Sequence, residues 1–457
     1  MPSDKQWLMW DEWRRQYGDV VRITVLGQPA IILSSMKAVN DLLESRGHIY
    51  SDRPPAVMAG DLVGWARGLG YTNGRQTPVS GNLESSSISL WAHAHSPDDF
   101  YDHCRTSTSS TILLMSYGYN ATNGDPLKLV KIAEDAMDGF SKASEPGWLV
   151  DSLPILKHIP AWFPGASFQR AARAMREDLD RLYDVPLAFV RQELANGTAK
   201  PSFLSSGLDV EGAQEHVPSE DLLKAAAGSL YSGGAETTPS ALTSFILAMA
   251  LHPEIQTRAQ TEIDNICLGD SSRMPQLADR SKLPYVSAIV KEIWRWNPSV
   301  PLGLPHMANA DDVYRGYSVD KGTVIWPNIW SILHDESVFP DPLAFRPERY
   351  LHENPALKAT GGDPNEVVGV AFGVGRRCDM PGMYLGDQAV FIGIASILFA
   401  FDISKAMDEA GNSITPVVDY SGFISHPKPF KCSIWPRDGP AREIVQRALE
   451  SDLADEA

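Results

Sequence analysis

Two stretches of this 457-residue chain carry residue types whose spacing can do chemistry. One is Phe372-Gly-Val-Gly-Arg-Arg-Cys378-Asp-Met-Pro-Gly382, a cysteine in a glycine-rich, doubly basic loop ahead of a strongly apolar run. A thiolate persists where positive charge and backbone N–H donors surround it, and glycines let the backbone fold tightly around the sulfur. Arg376, Arg377 and the start of a following helix supply both. The other is Gly233-Gly-Ala-Glu-Thr-Thr-Pro239, which sets an acid, Glu236, beside an alcohol, Thr237, in apolar surroundings. Such a pair can relay protons, and Gly233 and Gly234 would let a flat cofactor approach the backbone.

The second stretch needs a long element to carry it. Ser219 followed by Glu220 and Asp221 reads as an N-cap with an acidic first turn, and helical periodicity runs to His252, where Pro253 stops it. Interior glycines cost about 1 kcal/mol each and an interior proline about 3 kcal/mol, so a helix bearing Gly233, Gly234 and Pro239 has a reason for them. Pro239 cannot bond the Ala235 carbonyl, and the helix is expected to open there and make room for oxygen or water.

Around it the chain reads as mainly α with small β-sheets. Residues 7–17 form a helix ended by Gly18, residues 20–26 and 30–33 a hairpin, and Ser35 caps a helix through 43. Helical patterns cover 98–117, 126–143, 168–193, 253–267 and 285–296. Residues 317–319 and 323–326 flank Asp320-Lys-Gly322 as a hairpin, and residues 383–401, apolar nearly all round, read as a buried helix. Residues 421–432 read as a last hairpin whose tip touches substrate. Glu292 and Arg295, three apart on one helix, can pair.

Taken together, these motifs resemble the cytochrome P450 family, in its fungal microsomal form. The resemblance rests on Gly233 to Thr238, on Glu292/Arg295, on Phe345-Arg-Pro-Glu-Arg-Tyr350 and on the cysteine loop, which occur in the family's order from about Trp7 to Arg437. It implies one domain over 1–457, ending in a tail from 438, with heme b enclosed between the long helix and the loop. It also implies Cys378 as the thiolate on iron, and Phe372, Gly375, Arg377, Gly233, Gly234 and His306 around the haem, His306 on a propionate. Glu292, Arg295 and Arg349, with Arg346 as a fallback, would form a buried brace. Glu236 and Thr237 would help deliver protons to oxygen, so that one atom of O2 enters a C–H bond of an apolar organic substrate held near 300–304 and Phe423. Electrons would come from NADPH through an NADPH-cytochrome P450 reductase docking on a monomer near Arg376, Arg377, Lys428 and Lys431.

The chain departs from the family pattern in three places. The pattern is Phe-x-x-Gly-x-Arg-x-Cys-x-Gly, and Cys378 falls six residues after Phe372 where the family has seven, leaving Asp379 in the expected place. Counted back from Pro381-Gly382-Met383, the ligand position is Met380. The stretch 70–97 reads as loop and holds no Trp-x-x-x-Arg step, and no anchor or proline-rich hinge precedes residue 7. These departures support an alternative expectation, a chain that keeps the fold without turnover, as a pseudoenzyme or a mis-joined gene product.

Composition narrows the rest. At 43% hydrophobic with 12 tryptophans, the chain can build a sizeable core. A net charge of -17 argues against nucleic acid. Cys104, Cys267, Cys378 and Cys432 show no paired spacing, which suits a reducing compartment. Residues 389–401 fall short of the roughly 20 needed to span a bilayer, so the chain by itself reads as soluble and cytoplasmic, whereas the resemblance implies the endoplasmic reticulum membrane.

Overall fold

A computed structural model describes residues 5–68, 99–121, 125–145, 147–209, 219–268, 272–351, 363–375 and 382–455. The organising element is the helix Glu220–Leu251, 32 residues and so about 48 Å long at 1.5 Å per residue. The Ser219 hydroxyl accepts from the Leu222 N–H at 3.3 Å, and Glu220 and Asp221 face the positive end of the helix dipole. The expected opening at Pro239 does not interrupt the helix. Every residue from Thr238 to Ala250 is buried, so packing from all sides offsets the lost backbone hydrogen bond.

Glycines decide how closely its neighbours approach. A Cβ at Gly228 would overlap the Tyr183 ring, and one at Gly234 would overlap the Ile112 side chain of helix Phe100–Tyr117. Gly234 therefore lets the helix carrying Ile112 pack close, a reason different from the cofactor approach that the sequence suggests. A Cβ at Gly233 meets nothing within 4 Å and would point into open space. On the opposite side the apolar helix Gly382–Ala400 comes close through Gly393, whose added Cβ would sit 3.0 Å from Leu242.

The helices Ser167–Asn196, Pro253–Cys267 and Pro284–Trp296 form around the periods and stops seen in the sequence. Two large apolar clusters result. One gathers Phe245, Ile289, Ile293 and Phe391 around the C-terminal half of the long helix, and the other gathers Leu113, Leu179, Tyr183 and Tyr231 around its N-terminal half. Beyond residue 438 the chain forms the helix Pro440–Asp455, anchored by buried Ala441 and Ile444.

The sheets are small. Strands β1 (Val20–Val25) and β2 (Gln28–Leu33) make the expected hairpin, followed by Met36–Val39 under the Ser35 cap and a π-helical turn Asn40–Glu44. β3 (His306–Met307), β4 (Asp312–Tyr314), β5 (Tyr317–Val319) and β6 (Val324–Pro327) follow. The hairpin expected between β5 and β6 does not form: β5 pairs with β4, while β6 runs parallel to β2 and antiparallel to β3. The reason lies in the turn Arg315-Gly316, where both residues have positive φ (50° and 84°), as a tight two-residue hairpin requires. Asp320-Lys-Gly322 makes only a turn, closed by Thr323 N–H to the Asp320 carbonyl at 3.0 Å. The last hairpin is also smaller than read. β8 (Tyr420–Ser421) pairs with β9 (His426–Pro427), while Cys432 belongs to β10 (Cys432–Pro436), which pairs with β7 (Phe401–Lys405).

Candidate active site

Where the two apolar clusters meet, a cavity of about 710 Å³ opens between the long helix, Ala371–Val374 and the start of Gly382–Ala400. Gly233, Gly234, Thr237 and Thr238 form one wall, and Phe372, Val374, Gly386 and Gly393 face it. The predicted substrate-contacting stretches also reach it, through Val300, Gly303 and Leu304 and through Phe423 and Ile424 at the tip between β8 and β9. The Thr237 hydroxyl donates to the Gly233 carbonyl at 2.7 Å, one turn back, which leaves its oxygen lone pairs available to accept. Glu236 does not line the cavity. Its carboxylate lies 3.1 Å from His426 Nε2 and 3.9 Å from Arg105 Nη2.

The basic side chains among the described lining residues are His306 and Arg53. His306, on β3, is buried, and its Nδ1–H donates to the Tyr50 carbonyl at 2.9 Å. Arg53 donates to the Leu304 and Pro305 carbonyls at 2.8 Å each. Among the described lining residues there is no Asp, Glu or Lys. A large cavity with a Cβ-free wall at Gly233 and two basic side chains, His306 and Arg53, in its lining fits a flat, apolar group that carries carboxylates.

The brace is assembled from two segments. Glu292 takes Arg295 Nε at 2.7 Å and Nη2 at 2.8 Å, both side chains being 0% exposed. Arg349 Nε lies 3.4 Å from the same carboxylate, and its other nitrogens reach the Pro340, Asp341 and Ala344 carbonyls. Arg346, the fallback, gives its backbone N–H to Glu292 at 2.8 Å and turns its side chain toward Asp341. Burial lowers the pKa of Arg349, opposed by the Glu292 charge, and raises that of the neighbouring Tyr350 well above the phenol range. The helix so fixed carries Trp294, whose ring lies 4.9 Å from that of Phe372. Gly375 (φ 83°) then turns the chain, its N–H held by Glu44 at 2.7 Å.

Arg376, Arg377, Cys378, Asp379, Met380 and the stretch 70–97 lie outside the described residues. Sequence reading missed Glu44, Arg53, Arg105 and His426, all brought to the site by long-range packing. Arg53 stands in Tyr50-Ser-Asp-Arg-Pro-Pro55, where the prolines signal only extended chain. Lys428, expected in a basic docking patch, is paired with Asp419 at 2.7 Å, whereas Lys431 is exposed.

A fold organised on one long glycine-bearing helix, with a Glu-Arg-Arg brace beside a large apolar cavity, is consistent with a haem-thiolate oxygenase. The sequence model of cytochrome P450 matches residues 96–434, and the chain belongs to the cytochrome P450 family. It is similar to cytochrome P450 monooxygenase 208 of Postia placenta, 42% identical over 99% of this chain and 90% of the relative. It is also similar to cytochrome P450 monooxygenase claR of Ampulloclitocybe clavipes, 38% identical over 98% of this chain and 85% of the relative. A third relative, tryptamine 4-monooxygenase of Psilocybe cyanescens, is 35% identical over 96% of this chain and 89% of its own length. The chain is thus an oxidoreductase of the monooxygenase class that works with haem, O2, an organic substrate and a redox partner. Among the described residues one helix, Gly382–Ala400, is long and apolar enough to cross a membrane. Its segment from Val390 to Phe399 is buried inside the fold.

Proposed function

We propose that the chain hydroxylates an uncharged, largely apolar organic molecule at a C–H bond presented to Thr237. The observation that carries this is the cavity, apolar through most of its wall, with hydroxyls such as Ser107, Thr108 and Ser229 as its polar contacts and no carboxylate among its described lining residues. Among the described lining residues a cationic amine would find no carboxylate to pair with, and an unpaired buried charge costs several kcal/mol.

The residues present fit heme b: His306 and Arg53 would hold its carboxylates, and Gly233, Phe372 and Gly375 would adjoin it. Ligated by a thiolate, it supplies activation of O2 toward insertion into a C–H bond. The chain's own residues do the rest. The wall from Leu242 to Ile392 excludes water, Thr237 offers an acceptor at the cavity surface, and Glu236 stores the proton behind it. Cys378 is proposed as the thiolate on its motif, and Cys104, Cys267 and Cys432 are not among the described lining residues of the cavity. Cys104, Cys267 and Cys432 are buried, and burial pushes the Cys104 thiol well up and the Cys267 thiol to about 11. The chain acts as a monomer at the endoplasmic reticulum membrane, fed from NADPH by a flavoprotein reductase.

The reduced, carbon-monoxide-bound difference spectrum tests this reading. A thiolate-type Soret band that disappears in Cys378→Ala supports it. A band that survives Cys378→Ala removes Cys378 as ligand, and a wild-type chain with no band is the non-catalytic relative instead.

A further inference from the structure

We propose that His426 is the proton-entry residue of this enzyme, passing protons from solvent to Glu236; the proposal rests on Glu236 and Thr237 being the proton-supplying pair. Monooxygenation reduces one oxygen atom of O2 to water, so each turnover takes up two electrons and two protons. Those protons need a path into an apolar cavity.

The geometry points to where the path begins. Thr237 lines the cavity, whereas Glu236, the preceding residue, does not and instead meets His426 and Arg105. Side-chain exposure rises outward along this set, from 13% at Glu236 through 24% at His426 to 39% at Arg105. The carboxylate therefore stands between the cavity wall and solvent. Within 4.0 Å of it, these are the two basic partners among the described residues. Lys428, two residues beyond His426, is held by Asp419.

His426 is positioned by more than its own ion pair. The preceding residue, Ser425, donates its N–H to the Ser299 carbonyl at 2.8 Å, and its carbonyl accepts from Ser240 Oγ at 2.6 Å and Asn297 Nδ2 at 3.2 Å. Ser299 Oγ in turn donates to the Thr237 carbonyl at 3.0 Å. One buried hydrogen-bond cluster thus ties β9 to the helical turn that bears the acid and the alcohol.

Of the two basic partners only the imidazole can hand on a proton, because a guanidinium stays charged. The step is balanced. The imidazolium gives its Nε2 proton to Glu236 Oε2, leaving a neutral ring and a carboxylic acid; solvent returns a proton to the ring, and the acid turns to Thr237. Arg105 holds the carboxylate in reach between transfers.

The test compares His426→Gln and His426→Arg with the wild-type chain. NMR of the full chain labelled with 15N-histidine reads the contact directly. The hydrogen-bonded Nε2–H of His426, identified by its loss in His426→Gln, should shift in Glu236→Gln, and a resonance indifferent to Glu236→Gln overturns the proposal. With haem, NADPH, a reductase and 7-ethoxycoumarin as an uncharged apolar probe, His426→Gln should lower kcat about tenfold. KM should stay within about twofold, more NADPH should end as hydrogen peroxide, and the solvent deuterium isotope effect should grow. Arginine keeps the ion pair but gives up no proton, so His426→Arg should be as slow as His426→Gln. Wild-type turnover in His426→Arg overturns the relay and leaves a positioning role. Both variants should keep the wild-type carbon-monoxide band. A wild-type chain without that band defeats the functional reading instead, and the NMR comparison then decides the His426 contact alone.

Discussion

Two clusters in this molecule have the same ingredients, one glutamate and two basic side chains, yet are built to opposite ends. Around Glu292 the partner Arg295 is fully buried and the Arg349 side chain is 8% exposed, the carboxylate takes three N–H groups at 2.7–2.8 Å, and the remaining guanidinium nitrogens reach backbone carbonyls. Around Glu236 the partners are His426 and Arg105, at 3.1 and 3.9 Å, and all three side chains are partly exposed. A buried, multiply bonded charge cluster is costly to disturb and so holds geometry. An exposed, singly bonded one is worth little to stability and can exchange partners and protons. Composition alone does not separate a brace from a relay; burial and the number of bonds per atom do.

The contrast can be broken by mutation. Glu292→Ala leaves the Arg295 charge buried and unpaired, and should cost about 3–5 kcal/mol, read as a large fall in the urea midpoint together with loss of haem incorporation. A variant that unfolds like wild type would show that the brace is dispensable. Glu236→Gln should do the reverse. Its stability should stay within about 0.5 kcal/mol of wild type, while product formation falls about 100-fold with an unchanged carbon-monoxide band. Equal losses in folding and turnover would erase the distinction.

The brace also has a pH signature. His334 lies against it, stacked 3.9 Å from the Trp330 ring, and burial, reinforced by the Arg295 charge, lowers its pKa from 6.5 to about 3. The folded chain thus keeps this ring neutral where the unfolded chain protonates it. Its contribution is complete above pH 6.5 and is lost progressively as pH falls toward 3. At about 1.4 kcal/mol per unit, the loss should reach about 2 kcal/mol by pH 5. Urea unfolding across pH 5 to 7 should show this slope, and His334→Phe should flatten it.

The smallest effect separates two adjacent glycines. Gly234→Ala should destabilise by about 1 kcal/mol, since overlap with Ile112 outweighs the gain in helix propensity. Gly233→Ala, which meets open space, should be neutral or slightly stabilising while weakening haem uptake. Matching effects at both positions would mean that neither glycine has a separate task.

Much of this was legible from local chemistry. The long helix announced itself through Ser219-Glu220-Asp221 and Pro253, and Glu292 with Arg295 through their three-residue spacing, because capping and helical periodicity act over a single turn. What stayed hidden depends on distant packing. Nothing in His426-Pro427 or Arg105 signals Glu236, and Gly234 looks like Gly233 until Ile112 is beside it. The misread hairpin is similar in kind: Asp320-Lys-Gly322 and Arg315-Gly316 both carry turn residues, and pairing with β2, far away in sequence, chooses between them.

That same parallel pairing of β2 with β6 has a consequence for biogenesis. At roughly 5–20 residues per second, the ribosome makes Val324–Pro327 about 15–60 s after Gln28–Leu33. Throughout that interval the Ala30-Ile-Ile-Leu33 edge, with β1 on its other side, has no sheet partner and offers open backbone to other nascent chains. Chaperone supply and growth temperature should therefore govern the yield of this enzyme in a foreign host more strongly than its final stability does.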